Sequence, residues 1–147
     1  MTVRRARLED AGALGRLFRG LGYPDADDGL AQRLDELRAD PRSAVLVATG
    51  DDGEAVGVAT VALVPVAHDP APWSRITALV VHPASRRHGV GRALVAAAED
   101  VARRAGASRL EVTSAARRED AHRFYLACGF APGSAHFLKR LPAGRAR

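Results

Sequence analysis

The stretch Ile76-Thr77-Ala78-Leu79-Val80-Val81-His82-Pro83, continued by Ala84-Ser85-Arg86-Arg87-His88-Gly89-Val90-Gly91-Arg92-Ala93-Leu94, decides how this chain folds. Its first half is an apolar, β-branched run stopped by Pro83, and it reads as a buried strand, Arg75 to His82. Its second half is a glycine-containing turn that becomes a long helix, about Gly91 to Ala105, with Leu94, Ala97, Ala98, Val101 and Ala105 on one side. At such a helix start the first N–H groups have no intrahelical partner, and the helix dipole adds partial positive charge. Glycine lets a phosphate approach the backbone with no Cβ in the way. Arg86, Arg87 and Arg92 can add charge to this anion cradle. An Arg-x-x-Gly-x-Gly turn taken alone is equally compatible with a plain strand-to-helix connection. The dinucleotide-binding fingerprint fits poorly, since Leu94 stands where its third glycine belongs, and no P-loop Gly-Lys-Ser/Thr follows.

Working outward, the chain opens with a short strand, Thr2 to Arg7. Asp10 is an N-cap for a helix whose apolar face is Ala11, Leu14, Leu17, Phe18 and Leu21, broken by Gly20-Leu21-Gly22-Tyr23-Pro24. A second helix, Gly29 to Ala39, buries Leu30, Leu34 and Leu37. Ser43 to Thr49 and Ala55 to Val66 form a hairpin around the turn at 50–54. Beyond the long helix come a strand (Arg109 to Thr113), a helix (Glu119 to Cys128) and C-terminal segments near Phe130 and at His136 to Leu141. The expected order, β-α-α-β-β-β-α-β-α-β, is a mixed α/β domain around one sheet, spanning 1–147 as a single unit.

Composition narrows the classes. An apolar content of 47% with 27% charged residues is ordinary for a globular chain of 147 residues. No apolar run approaches the ~18 residues of a membrane helix, and the basic N-terminus lacks the apolar segment of a signal peptide. Cys128, the single cysteine, cannot form an internal disulfide, which fits a reducing compartment, so a cytoplasmic protein is expected. The net charge of +5 comes almost wholly from arginine, Lys139 being the one lysine. Such a field attracts anions, nucleic acid or a phosphorylated cofactor alike. The arginines are spread along the chain with few aromatics to interleave them, which argues against a nucleic-acid surface.

A second block, Arg117-Arg118-Glu119-Asp120-Ala121-His122-Arg123-Phe124-Tyr125-Leu126-Ala127-Cys128-Gly129-Phe130, reads as a short amphipathic helix with Ala121, Phe124 and Tyr125 inward, ended by a left-handed glycine. With Val81-His82-Pro83, Arg86, Gly89 and Gly91 ahead of it, the chain resembles the GNAT superfamily of N-acetyltransferases. That family's cofactor motif is Gln/Arg-x-x-Gly-x-Gly/Ala at the start of a helix after a strand ending in Val-x-Pro. The resemblance implies a GNAT-like, largely antiparallel sheet flanked by helices, and acetyl-CoA as co-substrate. It implies that the amides of Arg87, His88, Gly89, Val90, Gly91 and Arg92, with Arg86, hold the pyrophosphate, and that the backbone of Leu79 and Val81 pairs with the pantetheine arm as an added strand would. It also implies Tyr125 as general acid to the departing CoA thiolate; a phenol of pKa ~10 is a weak donor to a thiolate of ~8.5 and needs help from its surroundings.

Two positions depart from the family's pattern. Three residues before the helix alanine Ala121, where that family often has an asparagine, there is Arg118, which could reach a phosphate. Where many relatives carry a glutamate that orders a water as general base there is Thr77. His68, Asp69 and Glu111 are the remaining base candidates; His82, His88, His122 and His136 read as turn or surface residues, and no evident base accompanies Cys128. The implied reaction is attack by a neutral primary amine, of a small molecule or peptide, on the thioester of acetyl-CoA. A strand amide, of Leu79 or Val81, would polarise the carbonyl. Tyr23 and Trp73 are candidate walls of the acceptor pocket; Asp25, Asp27 and Asp28 could attract a cationic amine. No metal site is expected, and a homodimer paired through the C-terminal strands is compatible with the pattern. The alternative is a GNAT-fold module that senses acyl-CoA without turnover.

Overall fold

The computed structural model describes residues 1–113, 119–133 and 136–142. They fall into two compact units, Met1–Val112 and Thr113–Arg147. The first unit holds β1 (Thr2–Arg5), α1 (Ala11–Leu21), α2 (Leu30–Ala39), β2 (Ser43–Thr49), β3 (Ala55–Val64), β4 (Trp73–Val81), α3 (Val90–Arg104) and β5 (Arg109–Val112). The second holds α4 (Glu119–Ala127). The strands form one sheet in sequence order, β1 through β4 antiparallel and β5 parallel to β4.

The sheet is covered on both faces. Beneath α1 and α2, the leucines Leu14, Leu17, Leu30 and Leu34 meet Val45, Val47, Val58 and Val80. On the opposite face α3 buries Val90, Leu94, Val95, Ala98 and Ala102. That stripe is rotated from the expected one: Ala102 is inside and Ala105 exposed. Burial on both faces is why β2 reads as a continuous apolar run with no alternation. Leu37, expected inside, is 37% exposed.

Asp10 does not cap α1 with its side chain. Its carboxylate instead accepts both guanidinium nitrogens of Arg4 at 2.7 and 3.0 Å and the Arg7 amide at 2.7 Å, tying β1 to the helix start. A buried carboxylate with a cation in reach gains more from the ion pair than from one amide. These bonds, the Arg4 guanidinium first, hold its pKa below the usual carboxylate range.

In the second unit α4 ends in a Schellman turn. Gly129 takes φ 93°, the Phe130 amide donates to the Tyr125 carbonyl at 3.0 Å, and the two rings lie 5.7 Å apart, edge to face. No strand follows α4 among the described residues, so the last element of the expected order is missing there. Along 136–142 Phe137, Leu138 and Leu141 are 90%, 71% and 78% exposed. No helix among the described residues is long and apolar enough to cross a membrane.

Candidate active site

The site is built at the Val81 end of β4. β5 pairs with β4 only from Trp73 to Ile76. Beyond Ile76 that edge of β4 has no strand beside it among the described residues, leaving Thr77 to Val81 open to an extended ligand. The same point carries a β-bulge. Val61 lies opposite Ile76 and Thr60 opposite Ala78, so Thr77 is an extra residue on β4. A bulge re-aims the strand and increases its twist where pairing stops.

After β4 the chain turns through a short 3-10 segment, Pro83–Ser85, held by the Ala84 amide donating to His82 Nδ1 at 3.1 Å. Arg87 then takes φ 66° and Gly89 φ 80°, with His88 between them. Arg87 is the one non-glycine with positive φ among the described residues. Left-handed geometry is costly for arginine and turns successive amides to one side, the arrangement of an anion-binding nest. Gly89 is the N-cap of α3 and offers no side chain to its amides. Among the described residues the amides of Arg87 through Arg92 have no backbone or side-chain acceptor. Arg86, Arg87 and Arg92 are exposed and in no ion pair among those residues, although Arg86 Nε donates to the Val81 carbonyl at 3.4 Å. Val90, expected to serve through its amide, also buries its side chain. Leu79 and Val81 are half-buried on the open stretch of β4.

One residue of this site carries no group that could touch a ligand. Gly57 on β3 lies opposite Val81, and a Cβ there would meet Val90 Cγ1 at 2.9 Å, Leu94 Cδ1 at 3.0 Å and the Val80 carbonyl at 3.3 Å. Its bare backbone lets the first turn of α3 sit down on the sheet next to the end of β4. A glycine inside a strand pattern is the sequence signal for such an approach.

On the α1/α2 side of the bulge lies a cleft of about 520 Å³, lined by Phe18, Tyr23, Asp25, Arg33, Thr77 and Ala78, among others. Tyr23 therefore has the position expected of a pocket wall. Of the loop acids, Asp27 is paired with Arg19, and the Asp28 carbonyl accepts from Arg33. Asp25 makes no ion pair among the described residues and faces the cleft.

The base candidates His68, Asp69 and Glu111 have partners away from the cleft. Asp69 accepts from the Ala71 amide (2.9 Å), Ser108 Oγ (2.8 Å) and Trp73 Nε1 (3.1 Å), bonds that hold its pKa below the usual range. His68 packs edge-on against Trp73 at 4.9 Å, and Glu111 is shared between Arg75 and Arg109. Trp73 itself, beneath the Arg109 guanidinium at 3.7 Å, starts β4 at the end away from the cleft and is not among the residues that line it. Tyr125, in the second unit, is half-buried between Phe124 and Phe130. Arg118 lies outside the described residues, as do 134 and 135 of the C-terminal segment. No group of three or more potential metal ligands occurs among the described residues.

The model of the acetyltransferase (GNAT) family matches residues 13–130. An aminoglycoside N(6')-acetyltransferase type 1 of Stenotrophomonas maltophilia is 39% identical over 135 residues, 88% of this chain and 85% of that protein. An aminoalkylphosphonate N-acetyltransferase of Salmonella typhimurium is 34% identical over 145 residues, 95% and 90% of the two chains. Among solved structures, glucosamine-6-phosphate N-acetyltransferase from Arabidopsis thaliana superposes with a TM-score of 0.84 over 96% of this chain and 98% of its own; at 17% identity that likeness is one of fold.

Proposed function

This chain belongs to the acetyltransferase (GNAT) family and is an N-acetyltransferase with acetyl-CoA as co-substrate, and from that premise we propose that it acetylates the primary amine of a small molecule by direct attack. The observation that carries this reading is the start of α3, where left-handed Arg87 and Gly89 leave a run of amides that, among the described residues, have no acceptors, beside three arginines in no ion pair with those residues. A pyrophosphate answers both needs at once, since its oxygens accept from the amides and its charge meets the dipole.

In this reading Arg86 to Arg92 bind the pyrophosphate, and the open backbone of Leu79 and Val81 takes the pantetheine arm. A β4 amide polarises the thioester oxygen. Tyr125 protonates the departing thiolate, and both units serve one acetyltransferase domain. The amine enters the cleft by Tyr23, Asp25 and Thr77. Much of the rate then comes from holding amine and thioester together, an effect worth ~7 kcal/mol or more in well-oriented reactions. Both curated relatives are named for small amines, which favours a small molecule over a peptide acceptor.

The test is thiol release from acetyl-CoA with a panel holding an aminoglycoside, an aminoalkylphosphonate and a lysine peptide. Turnover of a small amine, together with acetyl-CoA raising stability by ~2.7 kcal/mol at a hundred times its Kd, is the expected result. A chain whose melting acetyl-CoA leaves unmoved would refute the assignment of the amide run.

A further inference from the structure

Thr77 is the extra residue of the β4 bulge, and its hydroxyl is held. Thr77 Oγ1 lies 3.3 Å from the Thr60 carbonyl oxygen and 2.5 Å from Thr60 Oγ1. A threonine hydroxyl has one proton and two lone pairs. That proton goes to Thr60, to its carbonyl or to its hydroxyl, and in either case Thr77 keeps at least one lone pair. Thr77 is exposed and lines the cleft. The group offered to an incoming molecule is therefore an acceptor whose rotation Thr60 has fixed.

We propose that the Thr60–Thr77 hydroxyl pair positions the acceptor amine, Thr77 Oγ1 accepting one of its N–H bonds and so aiming the nitrogen lone pair at the thioester. This rests on the reading that the cleft takes an amine. As the C–N bond forms, nitrogen gains positive charge and its N–H becomes a stronger donor, so the contact tightens at the transition state. Thr77 takes no proton. The nitrogen gives its proton to water in the cleft, the C–S bond breaks with its electron pair going to sulfur, and the sulfur takes up one proton. The ionisable groups facing this point are Tyr23, Asp25 and Arg33 from the loop and α2; β3 contributes only the Thr60 hydroxyl. Arg33 is engaged with the Ala26 and Asp28 carbonyls, which leaves Asp25 as the competing acceptor.

The experiment measures kcat, KM and acetyl-CoA affinity for the wild type, Thr77→Val, Thr77→Ser and Thr60→Val, using an amine the wild type turns over. Losing a hydrogen bond to a charged donor predicts that Thr77→Val lowers kcat about tenfold to a hundredfold, with KM and acetyl-CoA affinity moving less than about twofold. Thr77→Ser should restore most of the rate, and Thr60→Val, which frees the rotor but keeps the acceptor, should lose only severalfold. The acid limb of kcat/KM should follow the pKa of whichever amine is used and coincide in wild type and Thr77→Val. Wild-type kcat in Thr77→Val overturns the proposal alone, as does an equal loss in Thr77→Ser. An acid limb that stays fixed across amines and vanishes in Asp25→Asn also overturns it, by making Asp25 the base. If Thr77→Val does not fold, Thr77→Ala carries the same comparison. A wild type that binds acetyl-CoA and acetylates no amine overturns the functional reading and this proposal with it.

Discussion

At the Trp73 end of β4, Asp69 collects donors from Ala71, Trp73 and Ser108, Ser74 Oγ donates to the Arg109 carbonyl at 2.5 Å, and the Arg109 guanidinium covers the indole. At the Val81 end of the same strand, one edge lacks a partner strand among the described residues, and the helix that follows begins on amides without acceptors. Both ends carry arginines, Arg109 at one and Arg86, Arg87 and Arg92 at the other, that a motif search would weigh alike. What separates them is whether the polar groups are already satisfied. Saturated groups hold the fold, and groups left wanting are where a ligand can add free energy.

Substitutions can break this contrast. Trp73→Ala should have the largest effect on stability, about 2–3 kcal/mol for a half-buried indole, read in denaturant, while acetyl-CoA affinity stays at the wild-type value. Loss of affinity in that variant would mean that the two ends are coupled. Gly57→Ala should cost about 1–3 kcal/mol through overpacking and, unlike Trp73→Ala, should weaken acetyl-CoA binding in titration calorimetry by lifting the first turn of α3 from β3. Gly89→Ala should cost about 1 kcal/mol for a methyl in left-handed geometry and weaken the same binding severalfold.

The smallest effect is the acid titration. The Asp10 and Asp69 carboxyls are both held below their ordinary range, so their contribution is complete above pH ~4 and is lost as pH falls through the depressed folded values. Unfolding by urea should show this loss below pH ~4. Asp10→Asn should flatten the acid slope, and an unchanged slope would remove the ion pair with Arg4 from the account.

The chain order of the elements was legible because each helix and strand carries its own period, and the turn at 86–91 could be read locally since its chemistry lies within a few adjacent residues. The bulge at Thr77 could not be read that way. It exists only in the register between β3 and β4, which depends on residues far apart in the chain. The Thr60–Thr77 contact follows from that register and was hidden for the same reason. Asp69 illustrates a different failure, for a carboxylate in a loop before a central strand looks reactive until its donors are known. Gly57 was findable, being a lone glycine in an apolar strand, but its meaning needed α3 in place. The strand expected after the last helix is absent among the described residues; a strand forms only where a neighbour offers its edge, and no local stretch of sequence shows that neighbour.

The bulge also has a consequence for the length of the chain. On either side of Thr77, β4 keeps a regular pairing with β3, Gly57 opposite Val81 at one end and Val64 opposite Trp73 at the other. The ladder is thus one residue longer on one rail than its rungs require. A chain shortened by that single threonine could zip its sheet without a seam, every surviving neighbour unchanged, and would lack the step in the strand from which the cleft opens. Architecture and chemistry, elsewhere fused in this small enzyme, come apart at one codon.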